Sequence, residues 1–475
     1  MQRTIVRNAA WLFSGQALGR LIRAGFLIYA ARLLGASSWG AFSYALGIVT
    51  FLTILSDIGV NALLTREVSR DQSLLTRYLS TAFYLKLALV ATFSLLTLAL
   101  LPLLTLRIPE ARVLIPLLLF VYAFDALRDL GVALIRALQT MRGEALSLLA
   151  TNIAIFGFGI LLLRASPSSA SLSVAYALGT LSGLVWTFVA LRGELSGLLT
   201  RFDASLLYPL LTSAWSFGLV GLMGTLMMAT DTIILGLLVS PAEVGFYAAA
   251  QRPAQLIYLI PNLIAIALFP ALSRVNRDAA AFRGLVESGL ATALLLALPL
   301  AAGGALLASP LMTLLYGAAY LPGSSTLLIL SLTFLTVFPS VIVVHALFAH
   351  ERPQNFLPYV ALGLIGNILL DLVLIPRLGI AGSALASLIN QSLVGTYGLY
   401  RLYRLAPFSI IPRLPHLAIG AGVMTVIVLI TSTTFALPVI LVVPLGGIAY
   451  LGTLLALKEP SLTGLVRGFS SEGSA

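Results

Sequence analysis

The chain is a succession of long apolar segments separated by short polar connections. Fourteen such segments are each long enough to cross a hydrocarbon core of about 30 Å as a helix. The apolar runs are continuous and do not alternate with a period of two, which predicts transmembrane helices and argues against a β-barrel. The approximate limits of the segments are 8–34, 39–61, 78–105, 113–139, 144–163, 171–191, 207–238, 244–271, 284–308, 322–349, 355–375, 379–400, 414–434 and 436–457.

The composition supports an all-α polytopic membrane protein. Of the 475 residues, 59% are hydrophobic and only 9% are charged, whereas about a quarter of the residues of soluble domains are charged. The absence of cysteine excludes disulfides and thiolate chemistry. The three histidines, His345, His350 and His416, lack the spacing of metal ligands. We therefore expect no metal and no cofactor, and we expect the protein not to be an enzyme.

The placement of basic residues predicts the orientation of the chain. With a cytoplasmic amino terminus, 17 of the 28 Lys and Arg residues fall in cytoplasmic segments, 5 at outer ends and 6 within the membrane. Cytoplasmic connections carry an excess of Lys and Arg in membrane proteins, so both termini are predicted to be cytoplasmic. Arg3 and Arg7 resemble the basic start of a signal peptide, but the apolar run that follows is too long, and we expect a retained helix. This asymmetry explains most of the formal charge of +11 without nucleic acid as a partner.

An internal repeat divides the chain. WGAFSYA at 39–45 corresponds to VGFYAAA at 244–250, and LTREVSR at 64–70 corresponds to LFPALSR at 268–274, with offsets of 205 and 204 residues. An even number of spans separates equivalent points, so the repeat is parallel, with a site expected between its halves near the midplane. The predicted divisions are a six-helix lobe at 1–200, a second six-helix lobe at 201–405, and helices 13 and 14 with a cytoplasmic tail at 406–475.

A polar stripe interrupts the first apolar segment. Gln16, Gly19, Arg20 and Arg23 follow the spacing i, i+3, i+4 and i+7 and therefore share one helix face. An arginine at the centre of a membrane helix costs roughly 2.5–3.5 kcal/mol on insertion scales. The stripe predicts a membrane site for an anion. The alternatives are pairing with acids of neighbouring helices or extension of the arginines to the membrane surface.

The fourth segment is the most polar. Asp125, Arg128, Asp129, Arg136 and Gln139 recur at helical spacing along one face. Asp125 with Arg128 or Asp129, and Asp129 with Arg136, are the pairings expected to neutralise charge. A salt-bridge ladder that lets the helix insert and a role in ion coupling or transport both fit this pattern.

The eighth segment carries a second stripe, which suits a cavity wall for hydroxyl-rich ligands because tyrosine and glutamine can hydrogen-bond and stack against them. Ordinary packing between helices is the alternative. Two prolines in the segment favour bends. The stripe consists of Tyr247, Gln251, Gln255, Tyr258 and Asn262, and Arg252 borders it. The two prolines are Pro253 and Pro261.

Four further ionisable residues lie in apolar segments. Lys86 either faces a cavity or extends to the cytoplasmic surface. Asp57, near the cytoplasmic end of its segment, is expected to be a local partner or gate, and Asp371 a structural residue. Asp231 is a candidate for ion coupling or charge pairing, together with Asp57, Asp125 and Asp129.

Three stretches make the chain resemble a known family. They are WLFSGQALGRLIRAGFLIYAARLLGASSWGAFSYA near the start, DTIILGLLVSPAEVGFYAAAQRP at 231–253 and GNILLDLVLIPRLGIAGSALASLI at 366–389. The chain looks like the polysaccharide transporters, or oligosaccharide flippases, of the multidrug/oligosaccharidyl-lipid/polysaccharide exporter superfamily. The resemblance implies two six-helix lobes around a central cleft, alternating access, and movement of a polyprenyl-diphosphate-linked oligosaccharide. It also implies that arginines of the first and eighth spans line the cavity, and Arg20, Arg23 and Arg252 match them.

The sequence thus predicts a flippase of the cell membrane. Arg20, Arg23, Arg252 and Lys86 are expected to bind the diphosphate, while Gln16, Tyr247, Gln251, Gln255 and Tyr258 are expected to line the glycan cavity. The expected partners are the lipid-linked glycan and enzymes of polysaccharide assembly, with the monomer as the working unit. The alternative is a cation-coupled multidrug or small-metabolite antiporter of the same superfamily, although the first span lacks the acid that such antiporters often carry. A glycan polymerase or ligase is disfavoured by the short outer connections.

Overall fold

The computed structural model describes residues 2–57, 59–212, 229–350, 357–460 and 462, with the backbone alone described at 2–14, 17, 209, 211, 212, 357 and 360. The described residues form helices joined by short connections. In the first part of the chain these are α1 (Gln2–Leu55), α2 (Val60–Arg70), α3 (Leu75–Leu104), α4 (Ala111–Ala137), α5 (Met141–Ala165), α6 (Ser169–Ala190), α7 (Leu207–Thr212) and the described part of α8 (Ala229–Leu238). The rest are α9 (Pro241–Ile257), α10 (Leu259–Arg274), α11 (Ala279–Leu306), α12 (Ala308–Tyr316), α13 (Ser324–Leu332), α14 (Phe334–His350), α15 (Leu357–Leu405), α16 (Leu414–Leu429) and α17 (Val439–Ala456).

The helices confirm the predicted count of fourteen spans. Ten described segments are long and apolar enough to cross a membrane. Two of them, α1 and α15, each contain two predicted spans, because Gly35 (φ 74°) and Gly379 (φ 59°) break the helix with left-handed backbone that favours glycine. The remaining two are α4, which has the length but carries several charges, and the predicted span 207–238, of which residues 213–228 lie outside the described residues.

The predicted span 39–61 ends earlier than its apolar pattern suggests. Helix α1 stops at Leu55, and α2 begins at Val60 after a turn in which Gly59 has a φ of 82°. Asp57 shapes this turn, because its main-chain carbonyl accepts from Val60 N at 2.7 Å and its carboxylate accepts from Asn61 N at 3.2 Å. The turn therefore leaves an aspartate at a helix break rather than inside a continuous helix.

The predicted span 244–271 is divided between α9 and α10. Helix α9 ends at Ile257 and α10 starts at Leu259. Pro261 explains the division, because proline has no N–H to donate to the carbonyl of Ile257 four residues earlier. The expected bend thus lies one turn before this proline.

Two connections also differ in detail from the sequence pattern. The segment between the ninth and tenth spans, expected to be an outer loop, contains α12 and a 3₁₀ helix, Ala318–Gly323. The turn predicted at Leu437–Pro438 is confirmed, since α16 continues as a π-helical turn to Thr434 and α17 starts at Val439.

The chain forms two compact units, Met1–Ala248 and Ala249–Ala475. In the first unit α5 packs along α6, and α4 packs on α6 while α1 packs on both α4 and α5. Leu63, Leu79 and Leu134 belong to a buried cluster that joins α2, α3 and α4. The lobe limits expected from the repeat, at 200/201 and 405/406, stay a prediction.

The second unit is built around α11, which packs against α13, α14 and α16. Helices α16 and α17, which lie outside the sequence repeat, pack against each other. The Tyr450 hydroxyl of α17 donates to the carbonyl of Leu295 in α11 at 2.8 Å. The last two helices are therefore fastened to this unit by apolar packing and a buried hydrogen bond.

Equivalent positions of the repeat touch within the first unit. Gly40 and Gly245 are 205 residues apart in the sequence, as are Ala36 and Pro241. A Cβ on Gly40 would overlap the carbonyl oxygen of Pro241, and a Cβ on Gly245 would overlap that of Ala36. The contact is thus reciprocal between equivalent residues, and it brings the backbones of α1 and α9 together.

We predict that Gly40→Ala lowers the thermal unfolding midpoint of the purified protein in detergent. The added methyl group meets backbone that has no rotamer to change, and overpacking of this kind costs about 1–3 kcal/mol. Gly25→Ala is the matched control, because nothing described lies within 4 Å of a Cβ there. That variant is expected to be neutral or stabilising by up to about 1 kcal/mol, and equal midpoints for the two variants would contradict the close crossing.

Candidate functional site

Arg23 is half buried inside the first unit, and its described contacts are with uncharged groups, while the Asp125 carboxyl group acts on its charge from beyond ion-pair distance. Its Nε donates to Oδ1 of Asn152 at 2.8 Å, and its Cζ lies 5.9 Å from the centre of the Tyr176 ring. Asn152 lies at the midpoint of α5, so this contact is deep in the predicted membrane span. Among the described residues, no carboxylate forms an ion pair with Arg23.

Small residues let α1 approach α5 closely at this point. A Cβ on Gly15 would lie 2.9 Å from the Ala145 side chain, and one on Gly19 would lie 2.7 Å from Nδ2 of Asn152. Small residues at a contact between membrane helices let the two backbones approach closely, because no bulky side chain separates them. Gly19, a member of the predicted polar stripe, therefore serves packing, and it sets the distance between Arg23 and α5.

The other two members of the stripe have exposed side chains. Gln16 and Arg20 belong to the accessible surface of the first unit. No ion pair of Arg20 is found in the described parts of the chain. Together with Arg23, Arg20 thus places two guanidinium groups on one face of α1.

Arg128 of α4 lies between two carboxylates. Its Nη1 is 2.8 Å from Oδ1 of Asp125, and its Nη2 is 3.1 Å from Oδ1 of Asp129. Nη1 also lies 3.4 Å from Oγ1 of Thr151, the neighbour of Asn152 in α5. The cluster contains two carboxyl groups for one guanidinium, and through Thr151 it contacts the residue that precedes Asn152, the partner of Arg23.

Arg136 pairs with a residue that the sequence pattern did not propose for it. Its Nε and Nη2 contact Oε2 and Oε1 of Glu144 at 2.8 and 2.6 Å, a bidentate fork, instead of meeting Asp129 two turns away. The Glu144 side chain is only 3% exposed. Arg136 and Glu144 approach each other because the turn between α4 and α5 brings the two helix ends together.

Lys86 of α3 is buried, with a side chain 1% exposed. Its Nζ lies 3.3 Å from Oδ1 of Asp57 and 3.3 Å from the main-chain carbonyl of Ala126. Asp57 is the residue at the break between α1 and α2, so the pair ties this break to α3 and α4. The binding of a diphosphate by Lys86 stays a prediction.

Tyr247 and Asp231 are also in the first unit. Tyr247 is fully buried, and its hydroxyl donates to Oδ2 of Asp231 at 2.6 Å. Asp231 is 4% exposed. The structure thus places both residues in the helix core.

In the second unit, Arg252 and the rest of the predicted stripe lie along α9 and the start of α10. Arg252 Nη1 donates to Oε1 of Gln255 at 3.3 Å, and the Tyr258 hydroxyl lies 2.6 Å from Oγ1 of Thr333. Gln251 is half buried. That these residues line a cavity, and that Arg252 shares it with the arginines of α1, stay predictions.

Asp371 is fully buried in α15, where its Oδ2 accepts from Nδ2 of Asn367 at 3.1 Å.

The sequence pattern missed the three residues that define how the arginines are held. Asn152 and Tyr176 lie inside apolar segments whose other polar residues are small, and Glu144 begins one such segment. An asparagine or a tyrosine in the middle of a membrane span is a detectable signal, since its polar group can bond to another helix. Nothing in the sequence indicates which helix that is.

The chemistry that this arrangement supports is the binding of an anion. Three of the basic side chains within the membrane spans of the first unit, Lys86, Arg128 and Arg136, have a carboxylate partner. Arg23 has an amide and an aromatic ring instead. A guanidinium that keeps its charge binds phosphate or carboxylate oxygens in a bidentate fork.

We predict that Arg136→Ala destabilises the protein by about 3 kcal/mol, because it leaves the buried Glu144 carboxylate without its partner. A double-mutant cycle with Glu144→Gln should give a coupling free energy above about 1 kcal/mol from thermal unfolding. The cycle of Arg136→Ala with Asp129→Asn is the control, with an expected coupling under about 0.5 kcal/mol. The reverse order of the two couplings would refute the observed pairing.

Two curated proteins are similar to this chain in sequence. The chain is 32% identical over 208 residues to a protein named probable flippase AglR from Haloferax volcanii, a match covering 42% of each chain. It is 22% identical over 403 residues to the probable low-salt glycan biosynthesis flippase Agl15 of the same organism, covering 81% of each. The first of these matches therefore spans less than half of the relative's length.

Two solved structures share the fold. The lipid II flippase MurJ in an inward closed conformation superposes with a TM-score of 0.77 at 16% identity, over 93% of this chain and 97% of that one. An inward-facing multidrug resistance MATE transporter superposes with a TM-score of 0.67 at 15% identity, over 82% and 98%. These likenesses establish that the chain shares the helical fold of these membrane proteins.

The model of one family, described as polysaccharide biosynthesis protein, matches residues 5–276, which is more than half of the chain. That range contains both arginines of the polar stripe, the carboxylate cluster of α4 and the equivalent glycines of the repeat. The chain belongs to this polysaccharide biosynthesis protein family.

Proposed function

We propose that this protein is a flippase that moves a polyprenyl-diphosphate-linked oligosaccharide, a polysaccharide precursor, across the cytoplasmic membrane by alternating access. The curated relatives named as flippases support a transport function. The fold supports it as well, since it is shared with a lipid II flippase. The transport itself requires no covalent step.

The observation that carries the proposal is the state of Arg23. Its guanidinium is near the middle of a membrane span, is hydrogen-bonded to a neutral amide, and has no ion-pair partner among the described residues. Keeping an arginine charged inside a membrane span costs free energy unless an anion compensates the charge. The diphosphate of a lipid-linked glycan supplies that anion, and Arg20 on the same face supplies a second guanidinium.

The rest of the substrate suits the other predicted residues. Gln16 is accessible on the same face as the two arginines, and Gln251, Gln255 and Tyr258 offer hydrogen bonds to sugar hydroxyls. The polyprenyl chain can remain in the lipid, because hydrocarbon gains nothing by leaving it. Arg252 and Lys86 are proposed as further diphosphate contacts.

The alternative is a cation-coupled multidrug or small-metabolite antiporter, which the likeness to a multidrug transporter fold favours. The charge on α1 argues against it, because two arginines on one face repel a cationic drug. Cation-driven dye efflux by the purified protein would support this alternative.

We place the protein in the cytoplasmic membrane with both termini in the cytoplasm, and we propose that it works as a monomer beside enzymes of polysaccharide assembly. The asymmetry of Lys and Arg between the two sides supports the orientation.

We predict that Arg20→Ala combined with Arg23→Ala abolishes transbilayer movement of a fluorescent polyprenyl-diphosphate oligosaccharide in liposomes that contain the purified protein. The double variant removes both guanidinium groups from the predicted anion site. The matched control is Arg192→Ala with Arg201→Ala, which removes the same charge from exposed residues after α6.

The control pair is expected to transport at the wild-type rate. Wild-type movement in a well-folded Arg20/Arg23 double variant would refute the anion site. Transport of a cationic dye instead of the glycolipid by the wild-type protein would refute the flippase itself.

The orientation gives a separate prediction, which the absence of cysteine makes simple to test. Ser166 and Ser196 are exposed residues on either side of α6. A membrane-impermeant thiol reagent should label Ser166→Cys on intact cells and Ser196→Cys only after the membrane is opened. The opposite labelling would invert the proposed topology.

A further inference from the structure

We propose that Asn152 and Tyr176 are positioning residues, which hold the Arg23 guanidinium in a fixed orientation and leave its charge available to a phosphate group. Nothing in the sequence pattern assigned a role to either residue. The inference rests on the proposed function, because it takes Arg23 as part of the anion site.

Asn152 is itself held in place by α5. Its Nδ2 donates to the carbonyl of Leu148 one turn earlier at 2.7 Å, which directs Oδ1 toward Nε of Arg23 at 2.8 Å. The residue is 7% exposed. Both ends of the amide therefore have a defined partner, and the oxygen that faces Arg23 does not depend on rotation of a free side chain.

Tyr176 supports the guanidinium from a second helix, α6. The distance of 5.9 Å between Cζ and the ring centre is within the range of a cation–π contact. The ring is 3% exposed and meets Phe42 edge-on, with centroids 5.2 Å apart. A ring fixed by this packing limits the motion of the arginine without compensating its charge.

The partner of Arg23 Nε is an amide and not a carboxylate, and this difference indicates that the charge of Arg23 is meant for a ligand. A carboxylate at position 152 would hold Nε equally well but would neutralise the guanidinium, as Glu144 does for Arg136. With Nε occupied by Asn152, the edge formed by Nη1 and Nη2 is the one that remains for a ligand. That edge binds two oxygens of one anion at once, which suits a phosphate group.

Two substitutions of Asn152 separate charge from orientation. Asn152→Asp keeps the acceptor oxygen for Arg23 Nε and adds a negative charge. It should therefore raise two constants: the KM for transport of the fluorescent polyprenyl-diphosphate oligosaccharide, and the inhibition constant of inorganic pyrophosphate for that transport. Each should rise at least about tenfold, the ratio that corresponds to 1.4 kcal/mol. Its thermal unfolding midpoint combines the ion pair gained with Arg23 and the loss of the hydrogen bond from Nδ2 to the Leu148 carbonyl, so the two constants and not the midpoint decide the role. Asn152→Leu leaves the positive charge of Arg23 unchanged but removes the hydrogen bond that orients its guanidinium. It should raise the same two constants by a smaller factor.

Tyr176 allows a conservative rescue. Tyr176→Phe keeps an aromatic face beneath Arg23 and should retain the wild-type KM, whereas Tyr176→Leu should raise it several-fold. Ser147→Ala is the structural control on α5. The Ser147 hydroxyl bonds to Gly183 O at 3.2 Å and lies 2.7 Å from Thr187 Oγ1, so its loss should lower the unfolding midpoint and leave both constants unchanged.

The outcomes distinguish this inference from the proposed function. A wild-type protein that neither moves the glycolipid nor is inhibited by pyrophosphate refutes the proposed function. A wild-type protein that does both, with an Asn152→Asp variant of unchanged constants and normal stability, refutes the positioning role alone.

Discussion

The structure depends on the cost of placing an ionised group in hydrocarbon. That cost is several kcal/mol for each charge without a partner, and the first unit answers it with pairs. Lys86 meets Asp57, Arg128 meets two aspartates, and Arg136 meets Glu144. Each pair joins neighbouring elements or stiffens one helix, so the charges that insertion makes costly also fix how the helices are arranged. Among the described residues Arg23 departs from this pattern, because no carboxylate lies within ion-pair distance of it, and this is the physical reason to propose it as a binding group.

Close approach of backbones is the second constraint, and it determines where the polar groups meet. Gly15 and Gly19 bring α1 against α5, which places Arg23 within reach of Asn152. Gly40 and Gly245 bring equivalent parts of the repeat together in the same unit. A methyl group at Gly40 or Gly245 would meet backbone, and one at Gly15 or Gly19 would press on Ala145 or Asn152. Since a hydrogen bond is lost when its two atoms move apart, the contact between Arg23 and Asn152, on which the proposed anion site rests, depends on Gly15 and Gly19.

The sequence predicted the fold well because the bilayer allows few solutions. Continuous apolar segments must be helices, and the fourteen predicted spans are accounted for by the described helices and the partly described α8. It predicted less about partners, because helical periodicity places residues on a face but does not state which helix that face meets. Asp129 was the expected partner of Arg136 on the basis of spacing along one helix, whereas Glu144 reaches it across a turn. Lys86 had two equally acceptable directions in the sequence, and only the path of α1 brings Asp57 to it. The roles of the candidate site residues therefore remain predictions.

The surplus carboxylate beside Arg128 bears on how such a site releases its ligand. A transporter must bind its substrate firmly enough to exclude others and weakly enough to let it go. In the proposed site the two arginines of α1 attract the anion, while Arg128 lies between the Asp125 and Asp129 carboxyl groups. Thr151 contacts Arg128 and precedes Asn152, so these carboxyl groups lie near the Arg23 guanidinium. When both carboxyl groups are ionised, one negative charge exceeds that of Arg128, and at short range in a medium of low dielectric its repulsion offsets part of the attraction that we propose for Arg20 and Arg23. On this proposal the ionisation of the two acids moderates affinity, while the fixed orientation of Arg23 maintains selectivity.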